Sequence, residues 1–184
     1  MRTFYLLRHA QPMPPNGEDP DTALSERGVA DARSLIEPLR ALGISRIVSS
    51  PLRRAQQTVE PFAACAGIPV ETDPRLRERE MPLADSPEEH RERVRRSFDD
   101  IDYAPPGGES FRQTTDRALV CVRQYSAETA SGLLLVGHGQ CLTLILRALD
   151  RRVDFDFWVA LPTPAIVEVT VRDIAGDGTF RLLK

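Results

Sequence analysis

Apolar positions along the chain follow two periods that alternate. Thr3 to Leu7 is a short apolar run that ends in Arg8-His9 and predicts a buried strand feeding a loop. His9 to Ala23, rich in Pro, Gly, Asn and Asp, predicts the loop itself. Ser25 then reads as an N-cap, and Val29, Ala32, Ile36 and Leu39 fall at helical spacing, with a kink predicted at Pro38 and a stop at Gly43. Ile44 to Ser49 predicts a second strand, Leu52 to Ala66 a second helix bent at Pro61 and ended by Gly67, and Ile68 to Thr72 a third strand.

Beyond Asp73 the periodicity lapses until Pro87. Glu88 to Asp100 is charged and helix-prone, with Val94 and Phe98 as a narrow apolar stripe, and Pro105-Pro106-Gly107-Gly108 breaks the chain. Glu109 to Thr129 predicts a helix whose core face holds Phe111, Ala118, Val122 and Tyr125. Leu133 to Gly137 predicts a strand, followed at once by a helix over Gln140 to Leu149. Ala165 to Val171 and Thr179 to Leu182 read as strands around the turn Ala175-Gly176-Asp177-Gly178. This alternation predicts an α/β protein, a three-layer α/β/α sandwich around a mainly parallel sheet that ends in an antiparallel hairpin. The expectation is a single domain over 1–184, with 79–108 as a small insertion over the sheet edge.

Composition narrows the class. Hydrophobic residues make up 41% and charged residues 28% of 184, which excludes a disordered or collagen-like chain. No run approaches the ~20 apolar residues a bilayer demands, so no membrane partner is expected. The N-terminus lacks the apolar core and cleavage site of a signal peptide. Cys65, Cys121 and Cys141 are odd in number and widely spaced, which suits a reduced, cytoplasmic setting and opposes a zinc or disulfide framework. A net charge of −3 gives no reason to expect nucleic acid. All Lys and Arg positions except Lys184 are arginine, so rarity cannot mark an arginine as functional. Oligomeric state leaves no trace in the pattern.

Ligands of open α/β sheets bind outside the carboxyl ends of the strands. The residues following the predicted strands are Arg8-His9, then Ser49-Ser50-Pro51-Leu52-Arg53-Arg54-Ala55, then Leu76-Arg77-Glu78-Arg79-Glu80, then Gly137-His138-Gly139. Two of the three histidines therefore occupy equivalent strand ends, with arginines and carboxylates at others. Such a set suits phosphoryl transfer. A neutral imidazole can attack phosphorus and carry the phosphoryl group, and arginines bind its oxygens as bidentate donors. Helix N-termini at Leu52 and Gln140 are expected to add backbone donors, and a carboxyl group can shuttle the proton of the leaving oxygen.

These residues form a recognisable set. Leu7-Arg8-His9-Ala10 resembles the RHG signature of the histidine phosphatase superfamily, the phosphoglycerate-mutase-like proteins. Leu24-Ser25-Glu26-Arg27-Gly28 is similar to the family's L-[ST]-x-x-G helix start, and Ser49 to Thr58 to its S-x-L-x-R-A-x-x-T motif. Gly107-Gly108-Glu109-Ser110 resembles its G-G-E-S element, and Val136-Gly137-His138-Gly139 its second histidine motif. The five elements keep the family's order across roughly residues 3–149. The resemblance implies an α/β/α fold, no metal and no cofactor. It implies His9 as phosphorylated nucleophile, Arg8 and Arg54 as phosphate ligands, His138 and Gly139 at the phosphoryl oxygens, and Glu78 as proton donor, with Glu80 the nearby alternative. The chain departs from the pattern at Ala10, which replaces a glycine, at Pro12 and Pro15, and after Glu78, where the usual glycine and W-E-G-like segment are missing.

Bland readings cover the rest. His90 is expected on a solvated helix face, out of ligand spacing with His9 and His138. The run Arg91-Glu92-Arg93-Val94-Arg95-Arg96 reads as a solvated face with i,i+4 pairs, and Cys141 has no base arranged for it. The function expected is hydrolysis of a small phosphomonoester through a phosphohistidine intermediate. The alternatives are a phosphoglycerate-type mutase and a catalytically silent phosphate-binding or interaction module.

Overall fold

A computed structural model describes residues 1–14, 19, 21–173 and 177–184. Ala175 and Gly176 of the expected 175–178 turn lie outside the described residues, as do Pro15 and Asn16. Six strands form one sheet: β1 (Arg2–Arg8), β2 (Arg46–Ser49), β3 (Val70–Thr72), β4 (Leu133–Gly137), β5 (Ala165–Asp173) and β6 (Asp177–Leu182), in the order β3-β2-β4-β1-β5-β6. The first four are mutually parallel, and β5 and β6 add an antiparallel edge. The expected topology is therefore present, as a mixed sheet.

Alternation along the strands separates two cores. Leu6 and Leu135 point to one face with Phe4 and Val167, and meet Ala118, Val122, Leu142 and Ile145 of α5 (Phe111–Glu128) and α6 (Gly139–Leu149). Leu7, Leu134 and Val136 point to the other face. There they meet Leu35 from the turn between α1 (Glu26–Ser34) and α2 (Ile36–Arg40), Leu39 of α2, and Val59 and Phe62 of α3 (Arg53–Ala66). All five residues of β4 are buried, because both faces of this central strand are covered. A third cluster joins Val94 of α4 (Pro87–Asp99) to Met81, Phe111, Leu144 and Phe155, the last from α7 (Phe155–Ala160).

Helix ends follow local chemistry. Ser25, Ser86 and Asp154 each accept a backbone N–H of the following first turn, and Ser110 forms a full capping box with Gln113. Gly67 ends α3 in the left-handed conformation, at φ 67°. The kink expected at Pro38 appears one turn earlier, as a break at Leu35 between α1 and α2. Pro38 has no N–H for the carbonyl of Ser34 and its ring crowds that carbonyl, so the ladder fails there. Leu35 bonds to Ala32 instead, in a tighter turn. Helix α7 and the 3₁₀ turn Pro74–Leu76 had no counterpart in the apolar pattern, since each is too short to show a period.

Candidate active site

The order β2-β4-β1 brings three strand ends side by side. His9 N–H donates to Gly137 O at 3.0 Å and Ser50 N–H to Val136 O at 2.8 Å, so each chain stays paired one residue past its strand. Arg8, His9, Ser50 and His138 are thereby carried to one edge. The rings of His9 and His138 lie 5.0 Å apart, tilted by 58°.

Local bonds set the chemistry of His9. Its Nδ1 lies 2.7 Å from the carbonyl oxygen of Ala10. A carbonyl only accepts, so Nδ1 carries the proton and Nε2 holds a free lone pair. Burial pulls the pKa of His9 down to about 3, and the nearby Arg54 and Arg8 push the same way. The ring is neutral at pH 7, with the lone pair on Nε2. His138 is completely buried, and burial, followed by His9 and the arginines, holds its pKa well below the ordinary value. Its Nε2 pairs with Ser50 Oγ at 2.8 Å.

Arg54 is 5% exposed on the first turn of α3, whereas Arg53 faces solvent, so the inward register is that of Arg54. Arg8 donates from Nη1 to the carbonyl of Leu161, just past α7. Among the described residues, Arg8 Nε and His138 Nδ1 are buried polar atoms without a hydrogen-bond partner. Buried donors of this kind are what an oxyanion would satisfy. Gly139 packs against Arg8: a Cβ there would lie 3.0 Å from Nη2 and 3.1 Å from Cζ.

Glu78 joins the cluster from the loop after β3. Its Oε1 accepts from Arg79 N at 3.0 Å and Cys141 N at 2.9 Å, and its Oε2 from Gln140 N at 3.0 Å. The carboxylate thus caps α6, for which His138 provides no side-chain cap. Glu80 instead is exposed and lies 3.7 Å from Arg77. The structure corrects one expectation. The N–H groups expected to face a phosphate at Leu52 and Gln140 are already engaged, by Ser50 Oγ at 3.2 Å and by Glu78.

Sequence reasoning missed the supports. Thr58 accepts from Ala10 N–H at 2.9 Å and donates to Arg54 O at 2.7 Å, tying the residue after His9 to the helix that carries Arg54. Arg117 donates to the carbonyls of Arg75, Arg77 and Glu78 and pairs with Glu109 at 2.8 Å, bracing the loop behind Glu78. Burial raises the Glu109 pKa, but hydrogen bonds from Arg117 and Glu80 N–H outweigh it, leaving a net lowering. Thr58 and Glu109 both stood inside the quoted motifs, which was the available signal. Gly28 has a similar structural reason, since a Cβ there would meet Gln11 O at 2.1 Å. Cys141 is buried with its thiol pushed up to about 12, which removes it as a nucleophile. Among the described residues no group of three His, Cys, Asp or Glu could hold a metal ion, and no helix is long and apolar enough to cross a membrane.

Known proteins share this architecture. A family model described as histidine phosphatase superfamily (branch 1) matches residues 4–183. The probable phosphoglycerate mutase GpmB of Cronobacter sakazakii is 32% identical over 164 residues, covering 81% of this chain and 75% of that one. Among solved structures, a mycobacterial glucosyl-3-phosphoglycerate phosphatase superposes with a TM-score of 0.78 at 26% identity, over 99% of this chain and 97% of its own. YhfR of Bacillus stearothermophilus gives 0.75 at 26% identity, over 100% and 96%.

Proposed function

Because the chain belongs to the histidine phosphatase superfamily, branch 1, we propose that it hydrolyses a small phosphomonoester through a phosphohistidine at His9. The observation that carries this reading is the fixed tautomer of His9: a buried, neutral ring whose Nδ1 is committed to the Ala10 carbonyl and whose Nε2 is free. In the first half-reaction Nε2 bonds to phosphorus as the ester P–O bond breaks. Arg8 and Arg54 hold the nonbridging oxygens and stabilise the charge that develops on them. Ser50 donates to His138 Nε2, which leaves Nδ1–H for a phosphoryl oxygen.

Glu78 protonates the departing alkoxide. A carboxyl group held in place by three backbone N–H groups can give a proton to the leaving oxygen and take one back from water. In the second half-reaction Glu78 takes a proton from water, the water oxygen bonds to phosphorus, and the P–N bond breaks to release inorganic phosphate. The mycobacterial relative, a phosphatase by name, supports hydrolysis.

The name of the Cronobacter relative favours a mutase as second reading. A mutase hands the phosphoryl group to a second hydroxyl, whereas a phosphatase hands it to water. Quenching turnover of a labelled substrate without acid is expected to trap label on His9 and, with time, to release all of it as inorganic phosphate. A His9→Ala protein that keeps wild-type turnover rejects the mechanism, and label recovered on a second organic hydroxyl selects the mutase.

A further inference from the structure

Two rings near the elements that hold Arg8 and Glu78 are left unused by the steps above. Leu161, whose carbonyl receives Arg8, is the C-cap residue of α7 and donates its N–H to Phe157 O at 2.9 Å. Trp158, the only tryptophan of the chain, lies three residues earlier on that helix. Its indole is half-buried, with one neighbour in Phe155 at 5.6 Å between ring centroids. The other neighbour is His90 of α4, at 6.3 Å and tilted by 41°.

This corrects the expectation of a solvated His90: the imidazole is half-buried against the indole. Burial lowers its pKa, and Glu78 acts on it in the opposite direction, which places the ring within reach of the carboxylate's field. The indole thus sits on the helix whose end receives Arg8, and the imidazole against it feels the charge of Glu78. The alcohol of a bound ester departs where Glu78 can protonate it.

We propose that Trp158 and His90 form the wall on which the leaving alcohol rests, and that they select alcohols carrying a ring with an apolar face. This rests on the phosphatase reading. A flat indole gains contact with a ring face beyond what the buried area alone provides, and a neutral imidazole offers one donor and one acceptor to a ring substituent. An acyclic alcohol uses neither.

The test compares benzyl phosphate with ethyl phosphate, two alkyl esters that differ in the ring. In wild type the ratio of their kcat/KM values is expected to favour benzyl phosphate. Trp158→Ala is expected to lower that ratio about tenfold, Trp158→Phe to restore most of it, and His90→Ala to lower it as well. A residue that serves only the aromatic cluster around Phe98, Phe111 and Phe155 would lower both substrates equally, so an unchanged ratio overturns the proposal. A second measurement leaves position 158 intact: emission of the lone tryptophan in His9→Ala protein. Benzyl phosphate is expected to shift it more than inorganic phosphate does, and equal or absent responses overturn the proposal. If wild type hydrolyses neither ester, the phosphatase reading itself fails, while the fluorescence titration still decides whether a ring binds at Trp158.

Discussion

Replacing Gly139 by alanine separates phosphate binding from folding. The added methyl would sit 3.0 to 3.3 Å from Nη2, Cζ and Nε of Arg8. Ordinary contact begins near 3.5 Å, so the guanidinium must retreat by about 0.5 Å. It cannot retreat freely, because Nη1 is tied to the carbonyl of Leu161. A 1 Å misplacement costs up to about 10²-fold in rate, so half of that predicts a loss of about tenfold in kcat/KM, or about 1.4 kcal/mol of transition-state stabilisation. Stability should move the other way: position 139 opens α6 at an ordinary φ, and alanine exceeds glycine in helix propensity by up to ~1 kcal/mol. The assay is kcat/KM on an aryl phosphate beside the thermal midpoint, repeated in an Arg8→Ala background. If the loss passes through Arg8, Gly139→Ala adds nothing once Arg8 is gone. Full activity in Gly139→Ala, or an undiminished loss in the double variant, refutes the assignment of Arg8 to the phosphoryl group.

Three other outcomes are expected. Arg54→Lys should lose on the order of 10²-fold in kcat/KM, because an ammonium cannot span two phosphate oxygens, whereas exposed Arg53→Lys should stay within about twofold; the reverse result would move the motif register by one residue. Glu78→Gln should lose roughly 10²- to 10⁴-fold on alkyl phosphates and far less on nitrophenyl phosphate, and should also lower the thermal midpoint, since an amide NH2 would then oppose one of the three backbone N–H donors; equal losses on both esters would remove Glu78 as proton donor. His9 has a folded pKa near 3 against 6.5 when unfolded, so the unfolded chain binds the proton more tightly: stability is complete above about pH 6.5 and declines as pH falls toward 3, less steeply in His9→Ala, and an identical decline in that variant would contradict the burial argument.

Much of the site could be read in the sequence because its parts are local. A strand ending in Arg8-His9, a strand–helix junction holding Arg54 and another holding His138-Gly139 are each specified by a few consecutive residues, and the rule that ligands gather at strand ends places them together. Strands β1 and β4 were likewise legible as short apolar runs, and Ser25 and Gly67 marked helix ends through chemistry confined to one turn. Three features waited for the tertiary structure. The tautomer of His9 depends on a carbonyl brought under Nδ1 by the chain's bend after β1, and backbone geometry is not written in residue identity. The cap of α6 is a carboxylate 61 residues upstream of the helix start, and pairing across that distance follows from strand order alone. His90 looked solvated because its neighbours in sequence are charged, yet its neighbour in space is Trp158, on a helix too short to announce itself. Local propensity acts over a turn or two, while burial is set by what other elements deliver, so the sequence determined which groups the site contains and packing decided which atoms of them are free to react.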